Sequence, residues 1–426
     1  MKIRLAIPRT YLYFTFKEII YLLSSTVFTR LNYKSLLNKY KKEFSRVIGS
    51  EKILPTSSAT NGLHILLSAL KLPVGSEVLM GPITVEGFIR VIKSHGLVVK
   101  FINIDNKNYI IKKECLIKSI TNKTRIIIIT PLFGWYGKIE EIKELIKEKN
   151  ILLIEDCAQA FGCKYKNKFS GTWGDFGLYS FGPVKYPTGV SGGAILFSDK
   201  KREVKLIEEI DKCDRPNKIS IIKEVIKYSI IWLMLKRVIF NLITFKIINI
   251  INYNQFIRHF KSSKSEIKTK YYKNTNKLKK YYPQIYLQPN SAQMKMVISQ
   301  LNVFKKTVKI RIKNVEILYN KLSPSVRENL QSKPEEYETH SYWQMALRQK
   351  KKKEFIIYMR QHKIDISGLV WLRSYTKEVY GERKKEFYEA DCISDEIVYL
   401  PIFPNLKRHE LEYIGNIVNK FNLEIK

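Results

Sequence analysis

Between residues 54 and 197 the chain alternates short apolar runs with stretches of helical period. The runs are VLM after Glu77, VVKFINI from Val98, IIIIT from Ile126, ILLIE from Ile151 and GGAILF from Gly192. Each is apolar at consecutive positions rather than every second one, so both faces need covering, as in interior strands of a sheet layered by helices. Between two of them, KIEEIKELIKEKN sets Ile139, Ile142, Leu145 and Ile146 on one helical face with charges opposite, the pattern of a helix lying on a sheet. The rhythm is α/β. Helical periodicity returns over residues 293–322, and IVYLPIF from Ile397 reads as a strand late in a smaller C-terminal domain. No internal repeat is visible.

Residues 214–282 break this rhythm with a basic, strongly apolar stretch that includes IKYSIIWLMLKRVIFNLITFKIINIINY. Lys236 and Arg237 interrupt it, so neither side supplies the ~18 uncharged residues expected of a membrane-crossing helix. The preferred reading is helices packed on the body or on a second subunit. The alternative is an amphipathic element resting on a membrane surface, with Lys236, Arg237, Lys246 and Arg258 toward anionic lipid. Three regions follow: 1–213, an N-terminal segment and large domain; 214–282, a helical insert; and 283–426, a connecting helix and small C-terminal domain.

Length supports this division, since 426 residues exceed one ordinary compact core. The balance of 75 Lys+Arg against 39 Asp+Glu leaves a formal charge of +36 and favours anionic partners. The lysines are scattered among Ile and Asn without an aromatic-interleaved RNA-binding module, which argues against nucleic acid. Five cysteines, Cys115, Cys157, Cys163, Cys213 and Cys392, show neither metal-ligand spacing nor a disulfide framework. With no secretion signal in MKIRLAIPRTYLYFTF, the expectation is a cytoplasmic protein, membrane-peripheral if the insert meets lipid.

Two segments carry chemistry. IEDCAQAFG delivers Asp156 at the carboxyl end of an apolar strand, followed by Gln159 in the next loop, and strand ends are where α/β proteins place site residues. GLYSFGPVKYPTGVSGG presents Ser180 and Lys185 in a glycine-rich stretch before another strand. An aspartate and a lysine from adjacent strand ends can share one pocket. Taken singly, such an Asp is more often a turn residue and such a Lys is usually solvated.

Together these segments resemble the DegT/StrS family of sugar aminotransferases. IEDCAQAFG looks like that family's strand-end signature, and SFGPVK like its serine-aromatic-X-proline-X-lysine segment. SSATNGLHILLSAL is similar to its phosphate-gripping turn and helix, NSAQMKMVISQL to the helix after the large domain with Gln293, Gln300 and Leu301 in register, and YLPIFPNL to its C-terminal strand. The resemblance implies the aspartate-aminotransferase-like fold type I of pyridoxal-phosphate-dependent transferases. That fold has a large, mostly parallel seven-stranded sheet domain, a small C-terminal α/β domain, and a homodimer completing the sites.

It implies pyridoxal 5'-phosphate as cofactor, with Lys185 condensing with the cofactor aldehyde and Asp156 keeping the pyridine nitrogen protonated. Gln159 would lie against the ring near its phenolic oxygen, and Ser180 would hydrogen-bond the phosphate. Thr60 would be a helix N-cap there, with the Ala59 and Thr60 amides facing the dianion. The implied reaction moves an amino group from glutamate to a nucleotide-linked keto-sugar for surface polysaccharide or lipopolysaccharide. The alternatives are epimerisation or dehydration on the same cofactor, or a catalytically weak scaffold. A histidine in place of Lys185 would mark deoxygenating relatives; here the lysine is present.

Three departures from the family pattern stand out. Val85, in GPITVEGF, replaces an aromatic that usually stacks on the ring. The usual asparagine and arginine before the downstream helix are replaced around Tyr286 and Gln288, and the insert is unusually long. His340, in ETHSYWQM, and Trp371, Arg373 and Tyr375, in VWLRSY, fall near the implied site without assigned roles.

Overall fold

The computed structural model describes residues 5–28, 33–135, 137–250, 283–334, 338–368, 372–382 and 384–424. Trp371, Arg258 and residues 251–282 of the insert lie outside the described residues.

The large domain is built on seven strands: β1 (Ile53–Thr56), β2 (Glu77–Met80), β4 (Val98–Phe101), β5 (Thr124–Ile129), β6 (Leu152–Asp156), β9 (Phe176–Ser180) and β10 (Gly193–Phe197). Their order is β1-β10-β9-β6-β5-β2-β4. The five from β9 to β4 pair in parallel; β10 runs antiparallel to β9 and β1 antiparallel to β10, so β10 alone opposes the other strands and the sheet is mostly parallel as expected. Ile126, Ile127 and Ile128 on β5 are all fully buried and divide between two core clusters on opposite faces of the sheet. That is why the run is apolar throughout. Residues 176–180, expected within a glycine-rich lead-in to the next strand, form an interior strand of their own.

Short elements complete the domain. β3 (Ile83–Val85) pairs with β13 (Leu372–Ser374), and β7 (Lys164–Tyr165) with β8 (Lys168–Phe169). Val85 ends β3 half-buried and packs against both core clusters. The small domain carries β11 (Met345–Arg348), β12 (Ser367–Gly368) and β14 (Ile397–Leu400) in the order β11-β14-β12, covered by the helices Lys352–Gln361 and Arg408–Glu424.

The insert leaves and returns at one place. The Asp214 amide donates to the Tyr286 carbonyl (2.8 Å) and the Gln288 amide to the Asp214 carbonyl (2.9 Å). Its first helix, Lys218–Met234, buries Ile221 and Val225 against α1 (Phe16–Phe28) and the helix Ser291–Leu301. Arg237 forms an ion pair with Glu410 and donates to the Ala6 carbonyl at 2.8 Å. The described part of the insert is therefore anchored on the body of the molecule. No described helix is long and apolar enough to cross a membrane.

Candidate active site

Asp156 ends β6 and Ser180 ends the adjacent parallel strand β9, so sheet topology sets their chains side by side at the carboxyl edge. Period-two alternation gives β6 two jobs, because neighbouring residues face opposite sides. Glu155, fully buried, accepts from the amides of Gly171 (2.6 Å), Trp173 (2.7 Å) and Gly174 (2.6 Å) and holds the 170–174 loop. Asp156 accepts from the Ala158 amide at 3.2 Å. Burial raises its carboxyl to about 6, against the lowering effects of that amide, the Lys185 charge and the Thr130 hydroxyl.

Lys185 lies in the loop after β9. Burial pushes its amine down to about 8, opposed by the Asp156 charge. The two charges act on each other without forming an ion pair among the described residues, and the Lys185 Nζ instead lies 3.9 Å from the centroid of the Trp343 ring. The next residue pins this loop: Tyr186 stacks on Phe304 and donates to the Thr307 Oγ1 at 2.9 Å, docking it on the helix Phe304–Lys321. Gln293 and Gln300, seven apart on one face of Ser291–Leu301, clasp the loop's far side. Gln300 Oε1 accepts from the Thr188 amide at 2.7 Å, and Gln293 Nε2 donates to the Ser191 hydroxyl.

Gln159, Ser180 and Lys185 line one cleft with Ala158, Arg311 and Trp343. Gln159 is oriented by the Phe133 amide, which donates to its Oε1 at 2.9 Å. The 341–343 segment reaches the cleft because residue 134 is glycine. A Cβ there would stand 2.6 Å from the Ser341 Oγ and 2.9 Å from the Trp343 amide nitrogen, and its φ is +104°.

α3 (Ala59–Leu70) begins beside Ser180. Ser180 is paired in register with Gly193, and a Cβ on Gly193 would lie 2.7 Å from the Ala59 amide nitrogen, so only glycine permits this approach. One assignment is corrected: the N-cap of α3 is Ser58, not Thr60. The Ser58 side chain accepts from the Asn61 amide and its backbone is extended, whereas Thr60 is already the second helical residue. Ala59 and Thr60 thus stand at N1 and N2, whose amides have no intrahelical acceptor. The anion-binding expectation is unaffected by the shift.

His340 is a packing residue. Its Nδ1 accepts from the Tyr342 amide at 2.9 Å, its Nε2 lies 3.3 Å from the Gln331 Oε1, and its ring stacks on Tyr342. Burial drives its pKa down to about 3, so it stays neutral. Arg373 pairs with Glu378 at 2.5 Å. Trp343 and Arg311 were not anticipated. For Arg311 the signal existed: Phe304, Val308, Val315 and Leu318 form an apolar stripe in which position 311 is the one cation.

A lysine amine and an aspartate at adjacent carboxyl strand edges, beside a helix N-terminus, on a seven-stranded sheet with a small α/β domain, define the aspartate-aminotransferase-like fold type I of transferases. The chain belongs to the DegT/DnrJ/EryC1/StrS aminotransferase family, whose profile matches residues 15–214 and 263–419. It is 35% identical over 164 residues to GDP-perosamine synthase of Escherichia coli O157:H7, covering 38% of this chain and 45% of that one. The matched stretch spans about half the length of the curated relatives.

Solved structures match over nearly the whole chain. An aminotransferase from Psychrobacter cryohalolentis has a TM-score of 0.73 at 17% identity, covering 98% of this chain and 100% of that one. E. coli GDP-4-keto-6-deoxy-D-mannose-3-dehydratase with bound hydrated PLP has 0.70 at 17% identity, covering 97% and 99%.

Proposed function

We propose that the protein is a pyridoxal-phosphate-dependent aminotransferase that moves an amino group from glutamate to a nucleotide-linked keto-sugar for surface polysaccharide or lipopolysaccharide, working as a homodimer. The observation that carries this reading is that Lys185, which lines the cleft with Gln159 and Ser180, and the buried Asp156, at the carboxyl end of the adjacent strand, act on each other's charge without an ion pair among the described residues. The residues present fit the cofactor. An amine is available for its aldehyde, a carboxylate for its pyridinium nitrogen, and the Ser180 hydroxyl with the Ala59 and Thr60 amides for its phosphate.

When bound, pyridoxal phosphate supplies an aldehyde that captures amines and a ring that accepts the electrons released at the substrate carbon. The protein supplies the rest. With the cofactor held there, Lys185 would be a buried base placed to accept a proton from the donor's α-carbon. Its depressed pKa keeps a working fraction of the amine neutral near pH 7. Asp156 is mostly ionised at that pH even with its raised value, so it can hold a proton on a ring nitrogen. Gln159 and Trp343 border the same space and limit the water that reaches it.

The presence of lysine rather than histidine at 185 favours transamination over dehydration, the reaction in the name of one relative. The supporting similarities are to GDP-perosamine synthase and to a UDP-4-amino-4,6-dideoxy-N-acetyl-β-L-altrosamine transaminase of Campylobacter jejuni, 31% identical over 167 residues. Loading with pyridoxal phosphate, bleaching the visible band with glutamate and restoring it with a panel of keto-sugar nucleotides tests the reading. Restoration by at least one sugar is expected, and bleaching without restoration by any would count against it.

A further inference from the structure

The helix Lys218–Met234 is apolar on two sides, and the body of the molecule covers one of them. Ile221 and Val225 are buried in one cluster with Ile19 and Leu22 of α1 and Met296 of Ser291–Leu301. On the outward side Ile219, Ile226, Ile230 and Leu233, spaced at helical intervals, are between 47% and 61% exposed. α1 lies alongside: the Lys218 amine is 3.4 Å from the Val27 carbonyl, and the Phe14 and Trp232 rings stack toward the other end. It adds a second exposed stripe, Phe16, Ile20 and Val27. Two adjacent helices thus leave large apolar side chains in water, and clustered exposure of this kind marks a contact surface.

The charges around the stripes select the partner. Lys218, Lys223 and Lys227 border the stripe of the insert helix and Lys17 that of α1, and all four are exposed. Glu224 is the only acidic residue within 215–265, and it faces the body, where its Oε2 accepts from the Ser191 hydroxyl at 3.1 Å. Glu18, the one acid of α1, accepts from the Thr15 amide at 2.7 Å and from the Gln300 side-chain amide at 3.2 Å. The outward face of the described residues therefore combines apolar stripes with cations and carries no free carboxylate.

A second copy docked on this face about a two-fold axis would set lysine against lysine with nothing between them to neutralise the charge. An anionic bilayer surface supplies both things the face lacks: an apolar boundary for the aliphatic side chains and phosphates for ammonium groups on flexible stems. We propose that the outward face of α1 and the helix Lys218–Met234 docks on a membrane surface rich in anionic phospholipid. The helices lie on the bilayer, since no described helix is long and apolar enough to cross it. This surface is separate from the Lys185 cleft and does not depend on the reaction assigned there.

The test is flotation of the full-length, cofactor-loaded protein with vesicles of phosphatidylcholine alone or of phosphatidylcholine mixed with phosphatidylglycerol. Co-flotation is expected with the anionic vesicles, weakly with the neutral ones, and falling as salt is added. Lys223→Gln combined with Lys227→Gln should weaken binding to anionic vesicles roughly 30-fold, since each cation at such a surface contributes about a fivefold factor. Ile226→Ser combined with Ile230→Ser should weaken it by roughly 10-fold or more at every salt concentration, because the apolar contribution is not screened. Both pairs of side chains are exposed and outside the cleft, so unchanged capture of pyridoxal phosphate by Lys185 shows that each variant is folded.

No co-flotation of wild type with anionic vesicles would overturn the proposal, as would equal binding to neutral and anionic vesicles or binding unaltered in both double variants. Light scattering on the same variants distinguishes the other occupant. A fall to the monomer mass in the serine pair, with vesicle binding unchanged, would make this face a contact between copies of the chain and overturn the membrane assignment.

Discussion

Lys185 and Asp156 perturb one another in surroundings that burial has made hostile to both charges, and each shift has a consequence that can be measured. The lysine amine titrates near 8 instead of 10.5, so capture of pyridoxal phosphate by the cofactor-free protein should accelerate with pH and level off above about 8. Stopped-flow absorbance reads this, and a midpoint near 10 would mean that the amine is solvated. The stability signs are opposite for the two groups. Between about 8 and 10.5 the unfolded chain binds more protons at Lys185, so this residue's contribution rises with pH there. For Asp156, raised from 3.8 to about 6, the contribution is full below 3.8 and is lost as pH climbs through 6. Lys185→Ala should leave the protein folded but remove covalent capture of the cofactor, and proton transfer should fall by roughly 10²–10⁴-fold or more. Multiple turnovers in that variant, followed by product formation, would contradict the role.

At the level of elements, the site depends on a helix that never touches the chemistry. Ser291–Leu301 starts at an Asn290 cap, whose Oδ1 accepts from the Ala292 and Gln293 amides at 2.8 and 3.1 Å, and it presents Gln293 and Gln300 to the 188–191 loop. Gln300 also donates to the Tyr13 carbonyl at 2.5 Å, so one buried amide ties the lysine loop to the N-terminal segment that supports Arg311. Gln300→Leu leaves the Thr188 amide and the Tyr13 carbonyl without this partner. A loss of about 1–3 kcal/mol per group is expected, seen as a lower thermal midpoint together with slower cofactor capture. A variant as stable as wild type would show that the clasp is redundant. The insert helix Lys218–Met234 follows a different logic. Ile221 and Val225 face the body, while Ile219, Ile226, Ile230 and Leu233 form a second stripe on the opposite side and remain exposed among the described residues.

For the whole molecule, the expected assembly is a homodimer, and light scattering should return twice the 50.1 kDa chain mass at both low and high salt. A monomer that still bleaches with glutamate would dissociate activity from assembly. The sequence by itself determined the α/β class and the strand runs, because strand burial is local and leaves contiguous traces, and it marked Asp156, Gln159, Ser180 and Lys185 as candidates through the ordered motifs that resemble the family's. The two stripes of Lys218–Met234 show where local pattern stops: apolar residues on opposite faces require cover, but spacing cannot say which face meets the body. The N-cap fell two residues before the expected Thr60, at Ser58, because Ser and Thr are both good caps and only backbone angles separate them. Arg311 and Trp343 entered the site through tertiary structure alone. They come from segments more than a hundred residues beyond Lys185, brought to it by the docking of Tyr186 on Phe304 and by the close passage that Gly134 permits. A lone cation in an apolar stripe is visible in sequence, but what it faces is decided only when the helix packs.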